Sequence, residues 1–355
     1  MNLMGNMYGK NINFLIGSGA SVGAIPTLKT NWIEDRNEEL TVEDILERYK
    51  ADNKVLDLVY SYYYHQIIKN CFLEKLDTDG KKVFNNYKKF LEKILFFLQR
   101  EGYQKPRRIN IFTTNYDLFF EKAADELTGK VEFYFNDGSS GNITKKLSMK
   151  NYHKKILHTG IFDNFDREIP IINLFKIHGS VSWNYNDDRD EILITYLQNE
   201  KDVSEDIFKN LEITSLNSDI EEKYDSKIAG IRNKLRENFV IIFPEKNKFE
   251  ETVYQEFYYQ HLRQLSYELE KNDSILIVFG FSFADEHIAS LVKRALNNPT
   301  LKIYIFCYQY SQEKELLENL KISKSDKIKF IKPQDDGKID FENFIKKLFG
   351  SDKND

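Results

Sequence analysis

The chain has 355 residues, 41% of them hydrophobic and 30% charged, with a formal net charge of −5. That length fits one large domain or two smaller ones, and the acidic balance argues against direct, nonspecific nucleic-acid binding, which relies on clustered Lys and Arg. Two cysteines, Cys71 and Cys307, make neither a four-cysteine zinc site nor a disulfide framework.

In chain order, the first apolar run is "NINFLIG" (Asn11–Gly17), read as a buried strand. It feeds the Gly-rich stretch "IGSGASVGAIPTL" and then a predicted helix. From about 37 to 105 the pattern turns helical and long, with "TVEDILERYK" opening at Thr41 and Asp44 as a capping pair. This region is expected to form a helical insertion lobe whose aromatic stretch "YSYYYHQ" serves either self-association or an internal core. Further strands are expected at "RINIFTT" (Arg108–Thr114), "IINLFKIHG" (Ile171–Gly179), "FVIIFP" (Phe239–Pro244), "SILIVFG" (Ser274–Gly280) and "LKIYIFC" (Leu301–Cys307). Continuous apolar runs suit a sheet covered on both faces. Between them "DLFFEKAADEL", "EFYYQHLRQLSYELEK" and "DEHIASLVKRALNN" repeat at helical spacing. The alternation predicts an α/β fold with a doubly wound, parallel, Rossmann-like sheet. A charged stretch from about 184 to 238 is expected as a peripheral helical excursion, apart from the strand-like "EILITYL". The start of the chain lacks a signal peptide's apolar core, and "SILIVFGFSFA" is too short to span a bilayer. The expectation is a soluble, cytoplasmic protein without membrane contact.

Four stretches stand out as candidate sites. The glycine loop is either a tight strand–helix turn or a cradle in which the backbone approaches a pyrophosphate at a helix N-terminus. The register of a dehydrogenase fingerprint puts Val22 where its third glycine belongs, so ordinary hydride-transfer domains fit poorly. In "FTTNYD" (112–117), Asn115 or Asp117 caps the next helix, or both face whatever the glycine loop holds. His178 in "KIHGSVSWN" sits at a strand end before a glycine that lets another group come close. In "VFGFSFADEHI", Asp285 opens a helix, while Gly280 and Ser282 are either part of that cap or a second nucleotide contact. No His, Cys or carboxylate cluster has metal-ligand spacing.

The ordered set "GSGASVGAIPT", "TTNYD", "HGS" and "GFSFADEHI" resembles the sirtuin (silent-information-regulator) family, in widely spaced pieces over most of the chain. Two departures accompany the likeness. The zinc ribbon of sirtuin deacylases is missing, and Ala24-Ile25-Pro26 stands one residue early where the family has Gly-Ile-Pro, without the Phe-Arg that follows it. The resemblance is therefore to the bacterial anti-phage branch whose members hydrolyse NAD. It implies one sirtuin-like domain over residues 1–355, with NAD as substrate and no zinc. Gly17, Ser18, Gly19, Ala20 and Ser21 would lie around the phosphates, with Pro26, Thr114, Gly280 and Ser282 also at the cofactor. Asn115 would orient the nicotinamide ribose or the attacking water, Asp117 would hold the carboxamide or the loop, and His178 would be the general base. It further implies a homo-oligomer with a separate activator, such as a HerA-type ATPase or a short Argonaute. An NAD-dependent protein deacylase and a non-catalytic module sensing NAD or ADP-ribose are the competing readings.

Overall fold

A computed structural model describes residues 3–33, 39–102, 105–162, 164–196, 228–244, 252–334 and 337–350. Seven strands form the central sheet: β1 (Asn11–Ile16), β2 (Arg108–Thr113), β3 (Tyr134–Asn136), β4 (Ile171–Lys176), β5 (Ser274–Phe279), β6 (Lys302–Phe306) and β7 (Ile328–Ile331). Their order is β7-β6-β5-β1-β2-β4-β3, and every pairing is parallel. The chain leaves β1 toward β2 and later returns on its other side as β5, so the order reverses at β1, where open α/β sheets bind ligands. Two of these strands, β3 and β7, lie outside the expected set; both are edge strands, short and less apolar than the central ones.

The helices are α1 (Val42–Arg48), α2 (Asn53–Tyr63), α3 (Thr78–Gln99), α4 (Phe119–Leu127), α5 (Ile231–Asn238), α6 (Thr252–Glu270), α7 (Glu286–Ala295), α8 (Gln312–Leu320) and α9 (Phe341–Phe349). Strand side chains alternate between two cores. Ile12, Phe14 and Ile16 of β1 join Ile109 and Ile111 of β2 under α2, α3, α4 and α9, whereas Leu15, Phe112 and Phe175 face α6, α7 and α8. Thr41 and Asp44 form the expected capping box at the start of α1. Residues 197–227 of the expected excursion lie outside the described residues; its described parts are a hairpin (Trp183–Tyr185 with Ile192–Ile194) and α5.

Two expectations are corrected. No α-helix follows the glycine loop: Ser18–Ala20 make one 3-10 turn, and the next regular element is the strand Lys29–Ile33. Gly23 at φ +102° turns the chain out of helical geometry, with Ala24 and Ile25 both donating to the Ser21 carbonyl. The run "FVIIFP" stays outside the central sheet; only Val240–Ile241 is strand, antiparallel to Gly179–Ser180. The aromatic stretch of α2 is mostly spent inside the molecule, since Tyr60 and Tyr63 are fully buried and Tyr62 and Tyr64 pack on the same core.

Candidate active site

Parallel pairing brings the C-terminal ends of β5, β1, β2 and β4 to one edge. Ile16 is in register with Phe279 on one side and Thr113 on the other, and Thr113 with Lys176. Gly17 and Gly280 therefore leave the sheet side by side, and Asn115 and His178 each stand two residues beyond a registered pair. The two glycine turns touch backbone to backbone. A Cβ on Gly17 would lie 2.4 Å from the Gly280 carbonyl oxygen, and one on Gly280, whose φ is +65°, would lie 2.6 Å from the Ala20 nitrogen. The glycines are thus required by loop–loop contact, whatever else the loop holds.

That contact and the loop's own 3-10 turn together consume most loop amides. Gly17 donates to Phe279, Gly19 to Gly280, Ala20 to Gly17 and Ser21 to Ser18. Of the five residues expected around phosphates, Ser18 is the one whose amide has no acceptor among the described residues. Without a helix behind it, the loop presents far less of an anion cradle than its composition suggests. Thr114 donates its amide to Ile16, Pro26 is exposed, and Ser282 accepts from Ala284 and, through its carbonyl, from Asn319.

Beneath the loop lies a buried cluster. Ser21 donates to Asp117 Oδ2 at 2.7 Å, and its single hydrogen is thereby used, so Tyr87 must donate to Ser21 across their 2.8 Å contact. Asn115 Nδ2 donates to the Gly17 carbonyl at 3.1 Å and to Ser21 Oγ at 3.2 Å. A carbonyl only accepts, so the Gly17 contact fixes which end of the amide is nitrogen. Asn115 Oδ1 is left buried with no partner among the described residues. Asp117 Oδ1 accepts from Phe119 N at 3.3 Å, a local turn bond made one residue ahead of Leu118, the N-cap of α4. Burial raises the Asp117 carboxyl above the usual range, opposed by Lys176 and Ser21.

His178 follows the end of β4 in a turn, and Gly179 (φ +84°) admits Val240 close behind it. Its Nε2 meets Asp285 Oδ2 at 3.1 Å. The other oxygen of Asp285 caps α7, accepting from His287 N and Ile288 N. With Nε2–H donated to Asp285, the neutral ring carries its lone pair on Nδ1. Because β4 and β5 stand three strand spacings apart, roughly 14 Å, this pair bridges the sheet edge from which the glycine loop and Asn115 leave. The structure thus joins Gly17, Ser21, Asn115 and Asp117 in one network and His178 in a second; among the described residues no hydrogen bond links the two.

Three contributors escaped the sequence reading. Tyr87 carries no motif and reads as one aromatic in a helical stripe. Asp285 has the pattern of a helix cap, and its second oxygen gives no sequence signal. Lys176 did leave a signal, a charge inside an apolar run, which demands a partner. It is buried, pairs with Glu121 Oε1 at 3.0 Å and donates to the Asp117 carbonyl, tying the turn after β2 to β4. Burial pushes the Glu121 carboxyl up to about 7.

Residues 109–331 match the family model of the SIR2-like domain. The chain belongs to the SIR2-like domain family. This family lies in an NAD-utilising enzyme superfamily. The matched span of the SIR2-like chain contains Asn115, Asp117, His178, Gly280, Ser282 and Asp285, while β1, the glycine loop and Tyr87 precede it. No curated protein shows significant similarity to the chain. Among the described residues, no group of three or more His, Cys, Asp or Glu could hold a metal ion, and no helix is long and apolar enough to cross a membrane.

Proposed function

We propose that this SIR2-like chain is an NAD glycohydrolase that cleaves NAD to nicotinamide and ADP-ribose. The observation that carries the reading is Asn115: its amide nitrogen is pinned by the glycine loop and Ser21, and its buried carbonyl oxygen has no partner among the described residues. An acceptor fixed in that way suits a water or a ribose hydroxyl, both of which donate. In the reaction, the bond between the ribose C1′ and the nicotinamide nitrogen breaks, and its electron pair leaves with nicotinamide. Water adds to C1′ and gives up its proton. His178 takes that proton, with Asp285 orienting the ring and stabilising its cationic form. Of the two roles open to Asp117, holding the loop is better supported, since both its oxygens are engaged by Ser21 and Phe119.

The resemblance supports, beyond this chemistry, an effector of bacterial anti-phage defence that depletes NAD, acting as a homo-oligomer with a separate HerA-type ATPase or short Argonaute as activator. The test follows nicotinamide and ADP-ribose release from NAD by the purified protein, alone and with such partners. His178→Ala and Asn115→Ala should each lower turnover roughly 10²–10⁴-fold. Acyl-lysine peptides should not increase nicotinamide release. Wild-type rates in either variant would overturn the assignment, and NAD binding without cleavage in every combination would favour the sensing module.

A further inference from the structure

Tyr87 reaches the floor of the candidate site from α3, more than twenty residues ahead of the matched family span. Its ring is fully buried, stacked on Phe119 at 4.8 Å and edge-on to Phe120 and Phe341. The ring therefore has no freedom to swing its hydroxyl elsewhere. That hydroxyl lies 2.8 Å from Ser21 Oγ and 3.4 Å from Asn115 Nδ2. Proton directions in the cluster follow from donor and acceptor chemistry. Ser21 spends its hydrogen on Asp117, so Ser21 receives from Tyr87 and from Asn115. Burial keeps the Tyr87 phenol protonated and able to donate. Without the phenol, the Ser21 hydroxyl is free to rotate toward other acceptors, and the amide of Asn115 loses the direct Tyr87 contact and keeps only the Gly17 carbonyl as a fixed reference.

We propose that Tyr87 is a positioning residue for Asn115: with Ser21 it locks the amide so that Oδ1 faces the substrate side, making the helical region before β2 part of the active site. The kinetic side of this inference rests on the NAD-hydrolysing reading; the structural side does not.

The test uses Tyr87→Phe, which keeps the stacked ring and removes only the hydroxyl. In the presence of whatever activator the wild type needs, kcat for nicotinamide release should fall about tenfold, with KM for NAD unchanged. In a Ser21→Ala background the same substitution should lower kcat by less than it does alone, since its effect passes mainly through Ser21 and only in part through the direct 3.4 Å contact with Asn115. Protein labelled with ¹⁵N-asparagine gives a readout independent of catalysis. The side-chain amide resonances of Asn115, assigned by their loss in Asn115→Ala, should move in Tyr87→Phe, while those of the buried Asn110 and Asn173 stay in place. Wild-type kcat in Tyr87→Phe, or multiplying effects with Ser21→Ala, would overturn the proposal while leaving NAD hydrolysis standing. If the wild type never releases nicotinamide, the glycohydrolase reading fails by itself and the amide resonances alone decide: unmoved, they overturn the role of Tyr87; moved, they support it.

Discussion

Asp285 divides its two oxygens between two tasks, one on the first amides of α7 and one on His178. Asn caps helices about as well as Asp, so Asp285→Asn separates the tasks. The helix should persist by circular dichroism while nicotinamide release drops roughly 10²–10⁴-fold, the range for losing a base or the carboxylate that orients it. A fully active, folded D285N protein would show that the pairing is incidental. A second histidine contributes to the pH dependence of stability. His261 of α6 is wholly buried between Tyr152, Phe175 and Trp183, with Nδ1 donating to the Phe257 carbonyl and Nε2 without a partner among the described residues. Desolvation lowers its pKa from 6.5 to about 4. At this group the unfolded chain therefore binds more protons between those values, so its contribution to stability falls as pH drops from 6.5 toward 4, by up to about 3 kcal/mol, while the raised Glu121 carboxyl acts in the opposite direction. Above pH 6.5 this group contributes no slope. Denaturant midpoints of wild type and His261→Leu should converge on acidification; parallel pH curves would rule the mechanism out.

At the level of elements, a buried polar ladder aligns the half of the sheet that carries Asn115 and His178. Asn13 of β1, Asn110 of β2, Asn173 of β4 and Asn136 of β3 are all in register, and each amide after the first donates to the one before it at 2.9 Å. Ser274 of β5 closes the far end, accepting from Asn13 at 3.1 Å. Parallel strands of Ile, Leu and Phe tolerate slippage in packing terms, but a one-residue slip here would strand buried amides without partners. Asn110→Leu leaves the acceptor of Asn13 and a donor of Asn173 orphaned, and should cost about 2–4 kcal/mol of unfolding free energy. Urea titration reads this directly, and a loss under the error of the titration would mean the ladder is dispensable. The same register sets how far beyond the sheet Asn115 and His178 emerge, so its loss should also appear in turnover.

On the scale of the molecule, the helices between β1 and β2 are continuous with the main core. Phe90 of α3 meets Phe14 of β1 edge-on at 5.1 Å and Phe344 of α9 at 5.7 Å, and Phe344 stacks on Phe279 of β5 at 4.4 Å. One hydrophobic cluster runs from α2 and α3 through the sheet to α9. Such a core unfolds as a unit. Phe90→Ala should destabilise by about 3–5 kcal/mol and shift a single transition seen identically by far-UV and near-UV circular dichroism. Two separated transitions would indicate that the helical region is an independent lobe.

The sequence by itself determined the α/β class, five of the seven sheet strands, most of the helices and three of the residues gathered at the sheet edge: Asn115, Asp117 and His178. It could do so because buried parallel strands read as unbroken apolar runs, and because polar residues at strand ends stand out against them. It misread what depends on partners distant in the chain. The glycine loop resembles a phosphate cradle until its amides are seen to be taken by Phe279, Gly280 and the loop's own carbonyls, and Gly280 to demand its glycines. Val240–Ile241 is apolar enough for the central sheet, yet pairs with the turn after His178. The asparagines of "NINF", "RINIF" and "INLF" appear as scattered interruptions until parallel pairing lines them up. Tyr87 is one aromatic among many until tertiary packing points its hydroxyl at Ser21. Local pattern encodes burial, whereas hydrogen-bond partnership between buried polar groups is settled only by the tertiary fold, and at this site partnership decides which way Asn115 faces.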